Sequence, residues 1–299
     1  MSLLRLAKSC KNILKPFGHT DVLLFYAIAA KQLERWLKGK EIAAKIWIPS
    51  GPQVLKRGTK LEPLYIEEFD VVDEEFLKIR AEKNLADVKQ KLNKTQIKIW
   101  EYFPPRKLAD LFYATNREGA GKPIDRIFYD IDRSNLPSEI AQKVTAAFLQ
   151  TIQSDEEFNK LVDYRPFLMW TGHSFHVYLM LKKPITPQFY NQHIHFSKNE
   201  PMASFTGRWA EKLKKELGIN IGGGHEKVQN RITLDPSQTP SGKLARAPFS
   251  LHMADARTVD GVAIPLTADM LKNPGLVKRL QSYRPEDVVK EIEELAKRI

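Results

Sequence analysis

The sequence predicts a mixed α/β or α+β fold, and three observations support that class. Segments with the period-two alternation of strands are interleaved with segments whose apolar residues recur every three or four positions, as in amphipathic helices. The 299 residues are 42% hydrophobic, which is enough to bury one large core or two closely packed halves. No internal repeat or low-complexity tract interrupts the pattern.

Residues 1–122 are expected to form an N-terminal α/β module. A helix is predicted from about Asp21, as N-cap, to Lys38, because Gly39 follows as a stop signal. The further predicted elements are a strand at Ile42–Ile48, an amphipathic helix from Asp73 to Leu92, and a strand at Gln96–Tyr102.

Residues 123–270 are expected to form a second, catalytic module, and residues 271–299 a C-terminal helical segment. A strand at Arg126–Asp132 is followed by a Ser and Pro signal that starts a helix. The remaining predicted elements are a strand at Phe167–Leu181 interrupted near Thr171-Gly172, a helix on Phe205 to Leu217, a flexible Gly222–Gly224, strands at Arg231–Asp235 and Leu244–His252, and a helix at Pro285–Ile299.

Charge and cysteine content narrow the class of protein. The formal net charge of +11 favours a polyanionic partner such as nucleic acid, although a basic host proteome would also produce it. Cys10 is the single cysteine, so neither an internal disulfide framework nor a cysteine-based zinc site is expected. We find no signal peptide and no apolar run that could span a bilayer, and we expect a cytoplasmic protein without a membrane partner.

Asp130 and Asp132 close the strand Arg126–Asp132. Side chains two positions apart point to the same side of a strand, so the two carboxylates project together. Such a pair repels unless a cation lies between its members, and Mg²⁺ or Mn²⁺ favours carboxylate oxygens. The alternative is that one aspartate caps the next helix while the other is solvated.

Two further segments place polar residues at strand ends. Ser174 and His176 share one face of their strand and are candidate donors to phosphate oxygens, although a histidine hydrogen-bonded on a half-solvated sheet is the alternative. Asp235 closes a short apolar strand, as Asp132 does. Lys243, Arg246 and His252 follow, and they form either a phosphate-binding loop or a basic surface loop.

Together and in this order, these motifs resemble the archaeo-eukaryotic primase superfamily, which includes the primase catalytic small subunit and the primase-polymerases. Asp130 and Asp132 match the family's Asp-x-Asp, Ser174 and His176 its Ser-x-His, and Asp235 its third acidic motif. Arg246, Pro248 and Ser250-Leu251-His252 look like its downstream basic segment. The resemblance covers about residues 124–265.

The resemblance implies a primase catalytic core, with the N-terminal module packed on an RRM-like mixed sheet and the active site between them. It implies DNA primase or primase-polymerase activity on a single-stranded DNA template with NTPs or dNTPs. Asp130, Asp132 and Asp235 would be catalytic and would bind two Mg²⁺ or Mn²⁺ ions, while Ser174, His176, Lys243, Arg246 and His252 would bind the nucleotide. A primase accessory subunit or a C-terminal helical domain is a further implied partner.

The sequence also departs from the family, and other functions stay open. Thr171-Gly172-His173 is shorter than the turn of primase subunits and has no arginine, which favours a plasmid- or virus-type relative. Many members of the family carry a zinc-binding insert, and this sequence lacks the cysteines that such an insert requires. The alternatives are an Asp-x-Asp metal-dependent glycosyltransferase and a non-catalytic nucleic-acid-binding module of replication or repair.

Overall fold

The computed structural model describes residues 3–49 and 53–299. Its helices are α1 (Leu3–Ser9), α2 (Leu23–Leu37), α3 (Glu74–Glu82), α4 (Leu85–Val88), α5 (Lys94–Tyr102), α6 (Ser138–Gln153), α7 (Glu156–Leu161), α8 (Pro187–Phe189), α9 (Phe205–Leu217), α10 (Leu276–Ser282) and α11 (Pro285–Ala296). Its strands are β1 (Glu41–Ile46), β2 (Val54–Lys56), β3 (Leu64–Tyr65), β4 (Ala109–Ala114), β5 (Ile124–Asp132), β6 (Tyr164–Trp170), β7 (Phe175–Ile185), β8 (Ile221–Gly223), β9 (Ile232–Asp235), β10 (Leu244–Arg246), β11 (Leu251–Met253), β12 (Val259–Val262) and β13 (Ile264–Leu266). The predicted mixture of helices and strands is confirmed.

The chain forms two compact units, and the first is assembled from three separate segments. It comprises Met1–Ala114, Arg246–Ile264 and Ser282–Ile299, whereas the second comprises Thr115–Ala245 and Pro265–Gln281. This division differs from the three consecutive segments expected from the sequence. The first boundary falls at 114 rather than 122, and the C-terminal helix α11 belongs to the first unit because it packs on α2.

The first unit is built on a sheet with the strand order β10-β4-β1-β2, in which β3 also pairs with β1. β1 is antiparallel to β4 in register Ala44↔Leu111. Helix α2 is the core of this unit, since nearly all of its first two turns are buried. The N-cap of α2 is Val22 rather than the predicted Asp21, although the Asp21 carboxylate accepts the backbone N–H of Leu23 at 3.0 Å at the start of the helix.

A buried ion pair ties α3 to the start of α2. The fully buried guanidinium of Arg80 donates to both carboxylate oxygens of Asp21, each at 2.8 Å, and to the Phe103 carbonyl at 2.6 Å. Its guanidinium carbon lies 5.1 Å from the centre of the Trp100 ring. Because Asp21 is only 6% exposed, its charge depends on this partner.

The second unit is built on a sheet with the order β13-β6-β7-β5-β9-β8. β5 lies between β7 and β9 and is antiparallel to both, whereas β8 runs parallel to β9 at the sheet edge. Helices α6 and α9 cover one face. The Tyr129 ring from that face lies 5.0 Å from Phe148 of α6 and 6.2 Å from Trp209 of α9, between ring centres.

Several predicted elements differ from the structure. The predicted strand Gln96–Tyr102 is wrong: it is part of helix α5, because Asn93 and Gln96 form a reciprocal capping box. The predicted long helix from Asp73 is broken after Glu82. The strand predicted at 167–181 is a hairpin of β6 and β7, whose turn lies at the predicted interruption. Gly222–Gly224, expected to be flexible, contributes Gly222 and Gly223 to strand β8.

Within residues 3–49 and 53–299, none of the helices has the length and apolar character that a bilayer crossing requires.

Candidate active site

Asp130 and Asp132 lie at the C-terminal end of β5, as the sequence predicts. Ile131 lies between the two aspartates and Tyr129 precedes them, and both are fully buried. The Tyr129 ring faces helices α6 and α9. Since side chains alternate along a strand, both carboxylates project from the opposite face of the sheet. The side chain of Asp130 is 41% exposed and that of Asp132 is 25% exposed, so both are open to ligands from solution.

Strand β9 brings Asp235 to the same place. It pairs with β5 in antiparallel register, with Asp130 opposite Asp235 and Asp132 opposite Thr233. Directly opposed residues point to the same face and have Cβ atoms about 4.5–5.5 Å apart. Residues more than a hundred positions apart in the chain therefore supply three carboxylates to one small area, which we call the acidic cluster (Asp130, Asp132 and Asp235).

The electrostatics of Asp235 reflect this crowding. Burial raises the pKa of its carboxyl above the ordinary value, and the charge of Asp132 raises it further. Hydrogen bonds from Ser237, including the backbone N–H at 2.8 Å, and the charge of His225 oppose the rise. Burial also raises the pKa of the Tyr190 hydroxyl, and the charge of Asp235 adds to that effect. The negative charges of the ionised cluster therefore repel one another, and a bound cation would reduce that repulsion.

The loop after β8 supplies basic groups that the sequence analysis did not single out. Lys227 places its Nζ 3.6 Å from Oδ2 of Asp132, although its side chain is 82% exposed. The other oxygen of Asp132, Oδ1, accepts the backbone N–H of Ser134 at 2.8 Å. This turn holds Ser134 in the left-handed region, at φ 51°. Only the general excess of lysine and arginine in the sequence pointed to such a neighbour.

His176 lies beside the acidic cluster, and its predicted contact with the nucleotide stays a prediction. It is the register partner of Asp130, and its Nε2 lies 3.6 Å from Oδ1 of Asp130. Its ring is nearly buried, with its edge toward Phe128 at 4.7 Å between ring centres and Nδ1 3.4 Å from the Tyr178 hydroxyl. This packing fixes the ring so that Nε2 is directed at the carboxylate.

Ser174 has a different part in the structure from the one predicted. Its hydroxyl donates its hydrogen to the carbonyl of Ile131 and so links β7 to β5. A hydroxyl has one hydrogen to donate, so Ser174 has none for a phosphate in this arrangement. It shapes the acidic cluster by holding the end of β5 in place.

The basic residues predicted downstream are distributed over both units. Lys243 is exposed and belongs to the second unit, whereas Arg246 and His252 belong to the first. Arg246 donates to the Leu251 carbonyl at 2.6 Å and to the Ser250 hydroxyl at 3.2 Å. It also lies 3.5 Å from the buried carboxylate of Asp110, so much of its hydrogen-bonding capacity serves its own unit.

His252 has an acidic partner that the sequence analysis missed. Nδ1 of its ring lies 2.5 Å from Oδ1 of Asp260, so the two side chains form a short hydrogen bond. The pair joins the antiparallel strands β11 and β12. Because Asp260 is eight residues away across a β-bulge, no local motif identifies it.

The acidic cluster has the chemistry of a divalent metal site. Its donors are all carboxylate oxygens, which Mg²⁺ and Mn²⁺ prefer, and its members repel each other without a cation. The exposed Lys227 places one positive charge beside Asp132. With one cysteine in the chain, a cysteine-based zinc site has no ligands.

Comparison with known proteins shows a relative in fold. No family model matches this sequence, and no curated protein matches it. Among solved structures, the polymerase domain of ligase D from Mycobacterium tuberculosis, determined in complex with DNA, is similar with a TM-score of 0.57. The match covers 96% of this chain and 96% of that chain at 16% sequence identity. At this identity the likeness is one of fold, and it confirms the predicted mixed α/β fold.

Proposed function

We propose that this chain is a metal-dependent nucleotidyltransferase that makes or extends primers from NTPs or dNTPs on a single-stranded DNA template, as a DNA primase or primase-polymerase does. One observation carries the proposal: Asp130 is the direct register partner of Asp235, with Asp132 beside them on the same face. The likeness in fold to a polymerase domain that was solved with DNA supports it. The net charge of +11 supports a polyanionic template and substrate.

In the proposed reaction, Asp130, Asp132 and Asp235 hold two Mg²⁺ or Mn²⁺ ions through their carboxylate oxygens. Bound divalent ions there would activate the attacking hydroxyl and stabilise charge on the transferred phosphoryl group. The strand pairing of β5 with β9 fixes the carboxylates in advance, so little reorganisation is needed on binding. His176 restrains the Asp130 carboxylate from its other side.

Lys243 is proposed to contact the phosphates of the nucleotide, because its side chain is exposed to solvent. The nucleotide contacts predicted for Arg246 and His252 stay predictions. Loss of nucleotide affinity in Arg246→Ala and His252→Ala, with template affinity retained, would support them. The opposite pattern would assign these two residues to the template.

The test is nucleotide incorporation on unprimed and primed single-stranded templates with Mn²⁺ or Mg²⁺. We expect wild-type product with at least one template and none from the double variant Asp130→Ala/Asp132→Ala. Asp163→Ala is a matched control, because this exposed aspartate pairs with Lys182 at 2.8 Å at the start of the β6–β7 hairpin. Product from the double variant at the level of the control would refute the proposal.

Two other functions give different results in a simple binding experiment. A ligand stabilises the folded state that binds it, so melting temperatures report on binding without assuming catalysis. We expect dNTP with Mn²⁺ to raise the melting temperature, and UDP-sugars with Mn²⁺ to leave it unchanged. The reverse would favour an Asp-x-Asp glycosyltransferase, and DNA binding without any response to nucleotide would favour a non-catalytic module.

A further inference from the structure

A cavity of about 260 Å³ lies at the edge of the second unit's sheet, at the end of β8. It is lined by the Phe196 ring, the backbone of Gly222–Gly224 and the side chains of Lys198, His225, Glu226 and Arg231. An aromatic ring, bare backbone and several cations in one cavity are the groups that bind a nucleotide unit: a surface for the base and charge for the phosphate.

The glycines are present because Phe196 lies directly against them. A Cβ atom added to Gly223 would lie 2.4 Å from a ring carbon of Phe196, and one added to Gly224 would lie 2.9 Å from another. Gly224 also has a φ of +98°, which side-chain-bearing residues rarely adopt. The sequence Gly222-Gly223-Gly224 therefore positions an aromatic ring at the cavity wall rather than providing flexibility.

The cavity carries a small excess of positive charge. Lys198 pairs with the Glu226 carboxylate. Arg231 donates to the Glu226 carbonyl at 3.0 Å and to the Thr233 hydroxyl at 3.4 Å. The hydrogen bond from Lys198 lowers the pKa of the Glu226 carboxyl, and the charge of Arg231 adds to that effect, so two cations share one carboxylate at the cavity. The net charge of these three side chains, about +1, matches one phosphodiester better than a free triphosphate.

The cavity adjoins the acidic cluster. Gly222 is the register partner of Thr233, which shares the face of Asp235 because it lies two positions before it on β9. The backbone N–H of Gly224 donates to the carbonyl of Leu234 at 3.1 Å. A nucleotide in the cavity would therefore lie next to the carboxylates.

We propose that this cavity binds one nucleotide unit of a single DNA strand, with its base against Phe196 and its phosphodiester at Lys198 and Arg231. This inference deepens the proposed function and rests on it, because it identifies the cavity as the binding site for the DNA strand beside the proposed metal-binding carboxylates.

The test measures strand binding without catalysis. Fluorescence anisotropy with a labelled oligothymidylate, in EDTA and without nucleotide, gives Kd over a series of salt concentrations. We expect Lys198→Gln/Arg231→Gln to weaken binding about tenfold or more and to reduce the salt slope by about 0.7, the value for one lost phosphate contact on a single strand. Lys215→Gln is the matched control, because its side chain is 74% exposed on α9.

The aromatic wall has its own test. Phe196→Leu is expected to weaken binding at least about fivefold with an unchanged salt slope, since stacking carries no charge. Phe196→Tyr keeps the ring and is expected to bind as wild type does. Melting temperatures of all variants show whether they are folded. If Phe196→Leu is unfolded, the comparison of Phe196→Tyr with wild type still tests the contribution of the ring.

Three outcomes would overturn the proposal: no strand binding by wild type, equal Kd values for the double variant and Lys215→Gln, or a loss confined to dNTP binding measured with Ca²⁺. The last result would assign the cavity to the free nucleotide. Because the assay contains no metal and requires no turnover, its result does not depend on whether the protein has the proposed activity. Failure of that activity appears instead as absent incorporation with strand binding intact.

Discussion

Replacing Asp235 by Asn is expected to stabilise the metal-free protein while removing its response to metal. Burial and the charge of Asp132 both raise the pKa of the Asp235 carboxyl above its ordinary value. Asn keeps an oxygen that can accept the Ser237 N–H and removes the charge. A residue retained for metal binding would thus lower the stability of the fold that carries it.

The magnitude follows from the register of β5 and β9. Opposed Asp130 and Asp235 place their charges about 6 Å apart, so their repulsion is about 3 kcal/mol at an effective dielectric constant of about 20 and about 0.7 kcal/mol in water. Asp130 is 41% exposed, which favours a value between these limits. We therefore expect the free energy of unfolding to rise by about 1–2 kcal/mol and the melting temperature by about 2–6 °C.

The stabilisation by Asp235→Asn is also expected to depend on pH. A carboxyl whose pKa is raised on folding costs nothing at pH values below its ordinary pKa, where it is protonated in both states. The cost grows as pH rises from the ordinary pKa to the raised folded-state pKa, and it is fully present above the folded-state pKa. The stabilisation by Asp235→Asn should accordingly be larger at pH 7.5 than at pH 5.

Differential scanning calorimetry in EDTA, and again with excess Mn²⁺, measures both effects. Wild type at about 100 times the Kd of Mn²⁺ should gain about 2.7 kcal/mol, and the variant should gain much less. Asp163→Asn serves as the control, because an exposed ion pair contributes little. A lower melting temperature for Asp235→Asn than for wild type in EDTA would show that the carboxylate is already neutralised, and would refute this reasoning.

Two further predictions concern the first unit. In Asp260→Ala, ¹⁵N-resolved NMR of the imidazole should show His252 losing the form with hydrogen fixed on Nδ1, while Asp260→Glu restores it; an unchanged spectrum would refute the pairing. Arg80→Met should lower the free energy of unfolding by about 3–5 kcal/mol in urea titrations, because it leaves the Asp21 carboxylate buried and unpaired. Adding Asp21→Asn should recover part of that loss, and purely additive effects would contradict the coupling.

The local parts of the acidic cluster were predictable from sequence. A strand has a period of two, so Asp130 and Asp132 had to share a face once β5 was identified from its apolar residues. The same rule placed Ser174 and His176 on one face, and in the structure His176 lies on β7, where it contacts Tyr178. These conclusions depend only on neighbours along one strand.

The pairing of Asp130 with Asp235 depends instead on which strands become neighbours. Nothing local in either segment specifies that β9 lies beside β5, and the expectation came from resemblance to a family. The partner of His252 was missed for the same reason, since Asp260 reaches it across two strands. Lys227 and His225 were missed because an exposed loop has no periodicity to interpret.

Two errors of secondary structure have identifiable causes. Gln96–Tyr102 alternates like a strand, but the Asn93–Gln96 capping box satisfies the first backbone N–H groups of a helix and decides the outcome. Gly222 and Gly223 are poor strand residues by propensity. They form β8 because they pair with Thr233 and Leu234, with the Phe196 ring against Gly223 where a side chain would be.

The most direct test of the account is the number of Mn²⁺ ions that the protein binds in the presence of a non-reactive nucleoside triphosphate analogue. Electron paramagnetic resonance of free Mn²⁺ during a titration gives that number. We predict two ions for wild type and for Asp163→Asn, and at least one fewer for Asp130→Asn and for Asp235→Asn, because both residues face the same site. Equal Mn²⁺ binding by wild type and all three variants would contradict the claim that these carboxylates form a metal centre.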